Sequence, residues 1–153
     1  MEKLTKDISN IIITEAKNIN EKVRGLNFLE LLKTNLIEKL LLILSQKKIQ
    51  LDKEINYANE IEEDLRIIKI SINYFVNSQF ISKRKLDNDS LFLAFNDTIN
   101  FDIYKDQKKF SSMLLYKNSG ISLPKDTIIN SKYNKNLLLI EIANKNIDQI
   151  LTK

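Results

Sequence analysis

The chain contains no cysteine and no histidine, only two glycines, and one proline in 153 residues. Without cysteine there is no disulfide, no thiolate nucleophile and no cysteine-based zinc or iron–sulfur centre. Without histidine the commonest general base and the commonest transition-metal ligand are both missing. Two glycines cannot write a glycine-rich phosphate loop or a dinucleotide fingerprint. Arginine is also scarce, at Arg24, Arg66 and Arg84, so the planar fork that grips phosphates is available in only three places.

What is present is 24 Ile, 21 Lys and 18 Asn, with a formal net charge of +4. This usage follows A/T-rich codons, so the lysine excess is discounted as a nucleic-acid signal. At 43% apolar residues, the chain has enough material for one core of ordinary domain size. The opening MEKLTKDISNIIITEAK lacks the pattern of a signal peptide. The longest apolar run near the middle, LLLIL at 40–44, is far shorter than a membrane span. These features predict a soluble cytoplasmic protein.

Apolar residues recur at helical spacing through the first half. Leu4, Ile8, Ile12, Ala16, Ile19, Val23 and Leu26 share one face. Gly25, after Lys22 and Arg24, reads as a helix stop or bend. Leu29, Leu32, Leu36, Leu40 and Ile43 form the widest stripe. Beyond it Leu44, Leu51, Ala58, Leu65 and Ile72 recur every seven residues, although the seam drifts. No glycine or proline lies between Gly25 and Gly120, so residues 26–84 can be written as one long helix. A rod of that length must fold back near 45–48 or 56–59, or form a homodimer along its length.

Residues 82–90, SKRKLDNDS, mark a boundary, with cations at a helix end followed by turn formers. Residues 91–116 fit two short strands joined at Asn96–Asp97. They also fit a helix with Leu91, Phe95, Ile99 and Ile103 at steps of four, and the neighbouring helices favour that reading. In LLYKNSGISLPKD, Gly120 reads as a left-handed helix cap and Pro124 as a barrier to resumption. Residues 126–142 remain open between helix and strand, while Ile140, Ala143, Ile147 and Ile150 share a helical face. The expected fold is therefore mainly α: a helical hairpin or small bundle with coiled-coil-like helices, and a C-terminal segment that is helical or carries a little β. The expected organisation is a body at 1–120 and an apolar segment at 121–153 within the same domain.

Three features bear on function. The acidic EIEEDL run (Glu60, Glu62, Glu63, Asp64) spreads round a helix and reads as a solvated face, not a metal site. Lys83, Arg84 and Lys85 are the chief basic group, and the nucleic-acid alternative rests on them. Serines and threonines have no histidine to activate them, so no enzyme, cofactor or metal is expected. The surplus apolar faces favour a non-enzymatic interaction protein that docks partner helices. Leu36, Leu40, Ile43, Ile140, Ile147 and Ile150 are the candidate contacts.

The leucine-rich FLELLKTNLIEKLLLILSQKKIQL and the YKNSG tail (Tyr116, Gly120) resemble the FlgN-type flagellar export chaperones. The resemblance covers residues 26–120. It implies an all-helical protein that binds flagellar hook–filament junction proteins through amphipathic helical surface.

Overall fold

A computed structural model describes residues 2–46, 55–63, 66–75, 79–105, 108–133 and 137–146. Two helices come first, α1 (Glu2–Lys17) and α2 (Gly25–Gln46). Nine strands follow: β1 (Ile55–Glu63), β2 (Arg66–Phe75), β3 (Gln79–Lys85), β4 (Asp89–Phe95), β5 (Ile99–Lys105), β6 (Lys108–Leu115), β7 (Ser119–Leu123), β8 (Ile128–Tyr133) and β9 (Leu137–Asn146). The expected helical bundle is therefore overturned. Everything described after Gln46 that is regular is strand, paired antiparallel in two sheets.

One sheet runs β1-β2-β9-β4-β7 and the other β3-β8-β5-β6. The helices cover one face of the five-stranded sheet, and the four-stranded sheet lies against its other face. Two cores result. The helix–sheet core holds Leu4, Ile8, Ile12, Ala16 and Ile19 from the first helix and loop, and Phe28, Leu29, Leu32, Leu36 and Leu40 from α2. Against them stand Ile68, Ile70, Ile72 and Tyr74 of β2, Leu91, Leu93 and Phe95 of β4, and Leu138, Ile140 and Ile142 of β9. The core between the sheets holds Phe92, Ala94, Ile99, Phe101, Ile129, Leu137 and Leu139.

The strands follow from a period of two. In β2, Ile68, Ile70, Ile72 and Tyr74 are buried toward the helices, while Lys69, Ser71 and Asn73 point to the other side. Of the seven-residue recurrence, Leu44 lies in α2, Ala58 and Ile72 lie in strands on opposite faces of the sheet, and Leu51 and Leu65 lie outside the described residues. In β4 and β9 both faces are covered, so SLFLAF and LLLI lose the alternation and read as continuous apolar runs. Of the two readings open for residues 91–105, two strands joined at Asn96–Asp97 is the one observed.

The turns explain why glycine and proline could be so few. Asn96, Asn118 and Asp126 adopt positive φ, at 74°, 64° and 73°. Short polar side chains tolerate this left-handed region and do the work of glycine. Gly120 is not a helix cap. It lies within β7 opposite Leu93, where a Cβ would come within 2.5 Å of Leu93 Cδ2. Gly25 opens α2 with φ 60° and does not close α1, which ends at Lys17.

One arginine ties the helices to the sheet. Arg66, at the start of β2, is 1% exposed. Its Nη2 donates to the carbonyls of Asn20 at 2.6 Å and Val23 at 2.7 Å, and its Nη1 donates to that of Ile19 at 3.4 Å. The guanidinium carbon sits 4.1 Å from the centre of the Phe28 ring. A second tie is the ion pair between Lys39 and the buried Glu15, which joins the two helices.

Residues 119–123 and 137–146 are built into the five-stranded sheet, with β9 between β2 and β4. No helix among the described residues is long and apolar enough to cross a membrane.

Candidate ligand site

The space between the sheets changes character along its length. The face of the larger sheet that looks away from the helices is laid out by the strand register. One row across it is Asn73 and Leu139 with Ala94, the next Ser71 and Glu141 with Phe92, the next Lys69 and Ala143 with Ser90. At one end Phe92, Ala94, Leu137 and Leu139 pack against Phe101 and Ile129 of the smaller sheet. The Phe92 and Phe101 rings meet at 5.2 Å between centroids. At the other end the rows turn polar and the sheets leave an open mouth of about 180 Å³. Lys69, Ser71, Arg84, Asn88, Ser90 and Glu141 border it.

The smaller sheet supplies Arg84. A bulge in β3 between Ile81 and Arg84 shifts the pairing, so that Arg84 stands opposite Ile129, a residue of the inter-sheet core. Its Nη2 donates to Glu141 Oε2 at 2.6 Å, and its guanidinium carbon lies 6.0 Å from the Phe92 ring centre. This ion pair bridges the two sheets at the mouth. Lys69 forms no hydrogen bond or ion pair with another described residue and points into the same space. The mouth thus presents an unengaged ammonium, a bridged arginine–carboxylate pair, two hydroxyls and an amide around an apolar floor. Such a set can hold a small polar molecule in a defined orientation.

The basic run does not form one surface. Lys83 reaches outward, its Nζ 4.1 Å from the Tyr104 ring centre, and Lys85 lies 3.6 Å from Asp126, while Arg84 turns inward. Lys83 is set apart from Arg84, Lys85 borders the mouth while paired with Asp126, and Arg84 is paired with Glu141, so the three form no common basic face and the nucleic-acid reading gains no support. The apolar candidates belong to the helix–sheet core: Leu36, Leu40 and Ile140 are fully buried and Ile43 packs at its margin. The face expected to receive client helices is the face that covers the sheet. Ile147 and Ile150 lie outside the described residues. The acidic run also ceases to be a helix face, since Glu60 and Glu62 fall on one side of β1; Asp64 lies outside the described residues.

Sequence reasoning missed Lys69, Ser71 and Glu141. Their signal was present: polar residues at alternate positions of IIKISIN, and a lone glutamate inside LLLIEIA. They stood out only once those runs were read as strands.

No protein-family model and no curated protein matches the sequence. Solved structures with a similar chain path include a cupin superfamily protein from Desulfitobacterium hafniense (13% identity, TM-score 0.45, 65% of this chain and 84% of that one). Another is an RmlC-like cupin family protein with a double-stranded β-helix fold from Methanocaldococcus jannaschii (8%, 0.48, 68% and 93%). A third is a ribosomal oxygenase from Escherichia coli, in complex with cobalt and succinic acid (8%, 0.46, 54% and 25%). Likeness at this level transfers no activity. The strand-rich fold itself, nine strands in two antiparallel sheets, overturns the resemblance to the FlgN type.

Among the described residues no three Asp or Glu side chains come together as a metal-holding group, and the chain has no histidine or cysteine to add. Glu141 is already engaged by Arg84. The residues present do not fit a transition-metal centre.

Proposed function

We propose that the protein binds a small polar molecule in the mouth between its two sheets. One observation carries this reading. The inter-sheet space is filled with apolar side chains at one end, yet at the other it is left open and lined with Lys69, Ser71, Arg84, Asn88, Ser90 and Glu141. A sandwich needing only stability would fill that end too, because charged groups set into an inter-sheet mouth are costly to desolvate.

The Arg84–Glu141 pair fixes the orientation of its own groups before a ligand arrives. Its outer lone pairs and N–H groups remain for a ligand's hydroxyl or amide. Ser71 offers a donor and an acceptor, Ser90, whose hydroxyl donates to the Asn88 carbonyl, offers lone pairs, and Lys69 offers a charge. The test is a thermal-shift screen of polar small molecules against the native protein and Ser71→Trp, which fills the mouth. The expected result is a set of compounds that stabilise the native protein by mass action and fail to stabilise the variant. Compounds that stabilise both proteins equally, or a screen in which none stabilises the native protein, would defeat the proposal.

A further inference from the structure

We infer that the mouth continues into an oxyanion subsite over Ala143, held by Lys69 and Lys145, and that the ligand bears a phosphate-like anionic group. This inference deepens the binding reading above. Lys69 borders both the main mouth and a smaller adjoining cavity of about 90 Å³, whose walls are Glu60, Ile67, Lys69, Asn88, Ala143 and Lys145. Lys69 is the cross-strand partner of Ala143, and Lys145 is the partner of Ile67, two residues further along β9. The two lysines therefore project from the same face as diagonal neighbours on adjacent strands, about 7–8 Å apart at their Cα atoms. Ala143, between them in the pattern, is too short to fill the space.

The charges at this end do not cancel. Neither lysine has an ion pair with another described residue, and the one carboxylate among the walls is Glu60, the cross-strand partner of Lys69, so the cavity itself carries two cations and one anion, with Glu62 further out on β1 in the row of Ile67 and Lys145. Of the carboxylates at the adjoining mouth, Glu141 is taken up by Arg84. Like charges this close are unfavourable in the free protein, and an anion between them removes that cost.

The chemistry of the donors selects the anion. A planar carboxylate is best matched by an arginine fork, and the fork here is already occupied. Two lysines are rotatable point charges with three donors each, which suits a compact, multiply charged tetrahedral group. Asn88, whose backbone carbonyl accepts from Ser90 Oγ at 2.9 Å, borders both cavities and brings a side-chain amide to their junction. The ligand class is then a small phosphorylated molecule, its phosphoryl group over Ala143 and its polar body reaching toward Ser71, Arg84 and Glu141.

The experiment is a titration of the full chain with inorganic phosphate and pyrophosphate at constant ionic strength, read by calorimetry and by backbone amide shifts. Saturable binding is expected, with shifts at Lys69, Asn88, Ala143 and Lys145. Lys69→Ala and Lys145→Ala should each weaken it about tenfold. Lys83→Ala, on the outer face, should change it less than about twofold. All three lysines are exposed, so the variants keep the fold. No saturable binding, or equal losses in all three variants, overturns the inference. If neutral library compounds bind at the mouth in a Ser71-dependent manner while phosphate and pyrophosphate do not bind, the binding site stands and the oxyanion assignment alone falls.

Discussion

Replacing Arg66 by methionine isolates what the buried guanidinium does. Methionine keeps an apolar stem of similar length and removes only the charged head. In the native protein that head donates to three carbonyls, those of Ile19, Asn20 and Val23, just beyond the C-terminal end of α1. The two shorter bonds, at 2.6 and 2.7 Å, are charge-assisted. Each such bond contributes about 1.5–3 kcal/mol. The stacking over Phe28 adds about 1–2 kcal/mol in a dry setting. Against this stands the cost of burying the guanidinium, several kcal/mol, which methionine does not incur. The partners decide the net sign. They are neutral carbonyls that no apolar substitution can remove, and although the Asn20 carbonyl keeps its bond from the Val23 N–H, those of Ile19 and Val23 lose the guanidinium as donor. The net loss is about 3 kcal/mol, a large share of the 5–15 kcal/mol that holds a typical domain together. In equilibrium urea unfolding followed by far-UV circular dichroism, that loss lowers the midpoint by about 1.5 M at a typical slope of ~2 kcal/mol/M. Arg66→Lys keeps the charge without the fork and should recover less than half of the difference. A methionine variant with an unchanged midpoint would refute the reasoning, because it would mean the three carbonyls need no donor from β2.

Other outcomes follow from the same structure. Gly120→Ala drives a methyl group into Leu93 and the Lys33 stem, and should cost about 1–3 kcal/mol, read as a fall of several degrees in Tm; an unchanged Tm would show that β7 can shift to make room. Ending the chain after Leu123 removes β8 and β9, the latter the middle strand of the larger sheet, so the fragment should lose its cooperative unfolding transition altogether. The Glu30 carboxyl is held below the ordinary glutamate range by hydrogen bonds from Lys33 and then from Ser122, which links α2 to β7. Because its folded value is depressed, its contribution is present above the unfolded value near pH 4 and is lost as pH falls through the folded one. Ser122→Ala should move the carbon-detected titration midpoint of Glu30 upward, and an unmoved midpoint would remove Ser122 as a cause. Asp102 is likewise depressed, first by Ser112 at 2.8 Å and then by Lys109 at 3.2 Å; Ser112→Ala should raise its midpoint more than Lys109→Ala does.

The legible part of the fold was the part whose period is written in the residues. Leu4, Ile8, Ile12 and Ala16 recur at helical spacing, and these are the residues α1 buries. The wide stripe of α2 was readable for the same reason. Beyond Gln46 the helical reading failed because the expected punctuation was absent, and the chain turns on Asn and Asp instead. Those 18 asparagines looked like codon bias, yet Asn96 and Asn118 hold the left-handed positions that permit the tight turns. Strands covered on both faces, such as β4 and β9, carry no alternation to separate them from helix. A strand reading of IIKISIN was available, but the seven-residue recurrence of leucines and isoleucines competed with it. The site was less legible still. Arg84 was singled out for its charge and given the wrong company, since a bulge and the strand pairing decide that it faces Glu141 and not Lys83. No local pattern joins Lys69 to residues more than 70 positions away; only the β2–β9 register does so.

The most direct test of the central claim, that the polar mouth is where this protein meets its ligand, is amide-shift mapping with a compound that raises the melting temperature of the native protein. The account predicts shifts clustered at Lys69, Ser71, Arg84, Asn88, Glu141 and Ala143, with the helix-facing residues Ile68, Ile70 and Ile142 little changed. Shifts confined to the helices or to the outer face of the smaller sheet would contradict it.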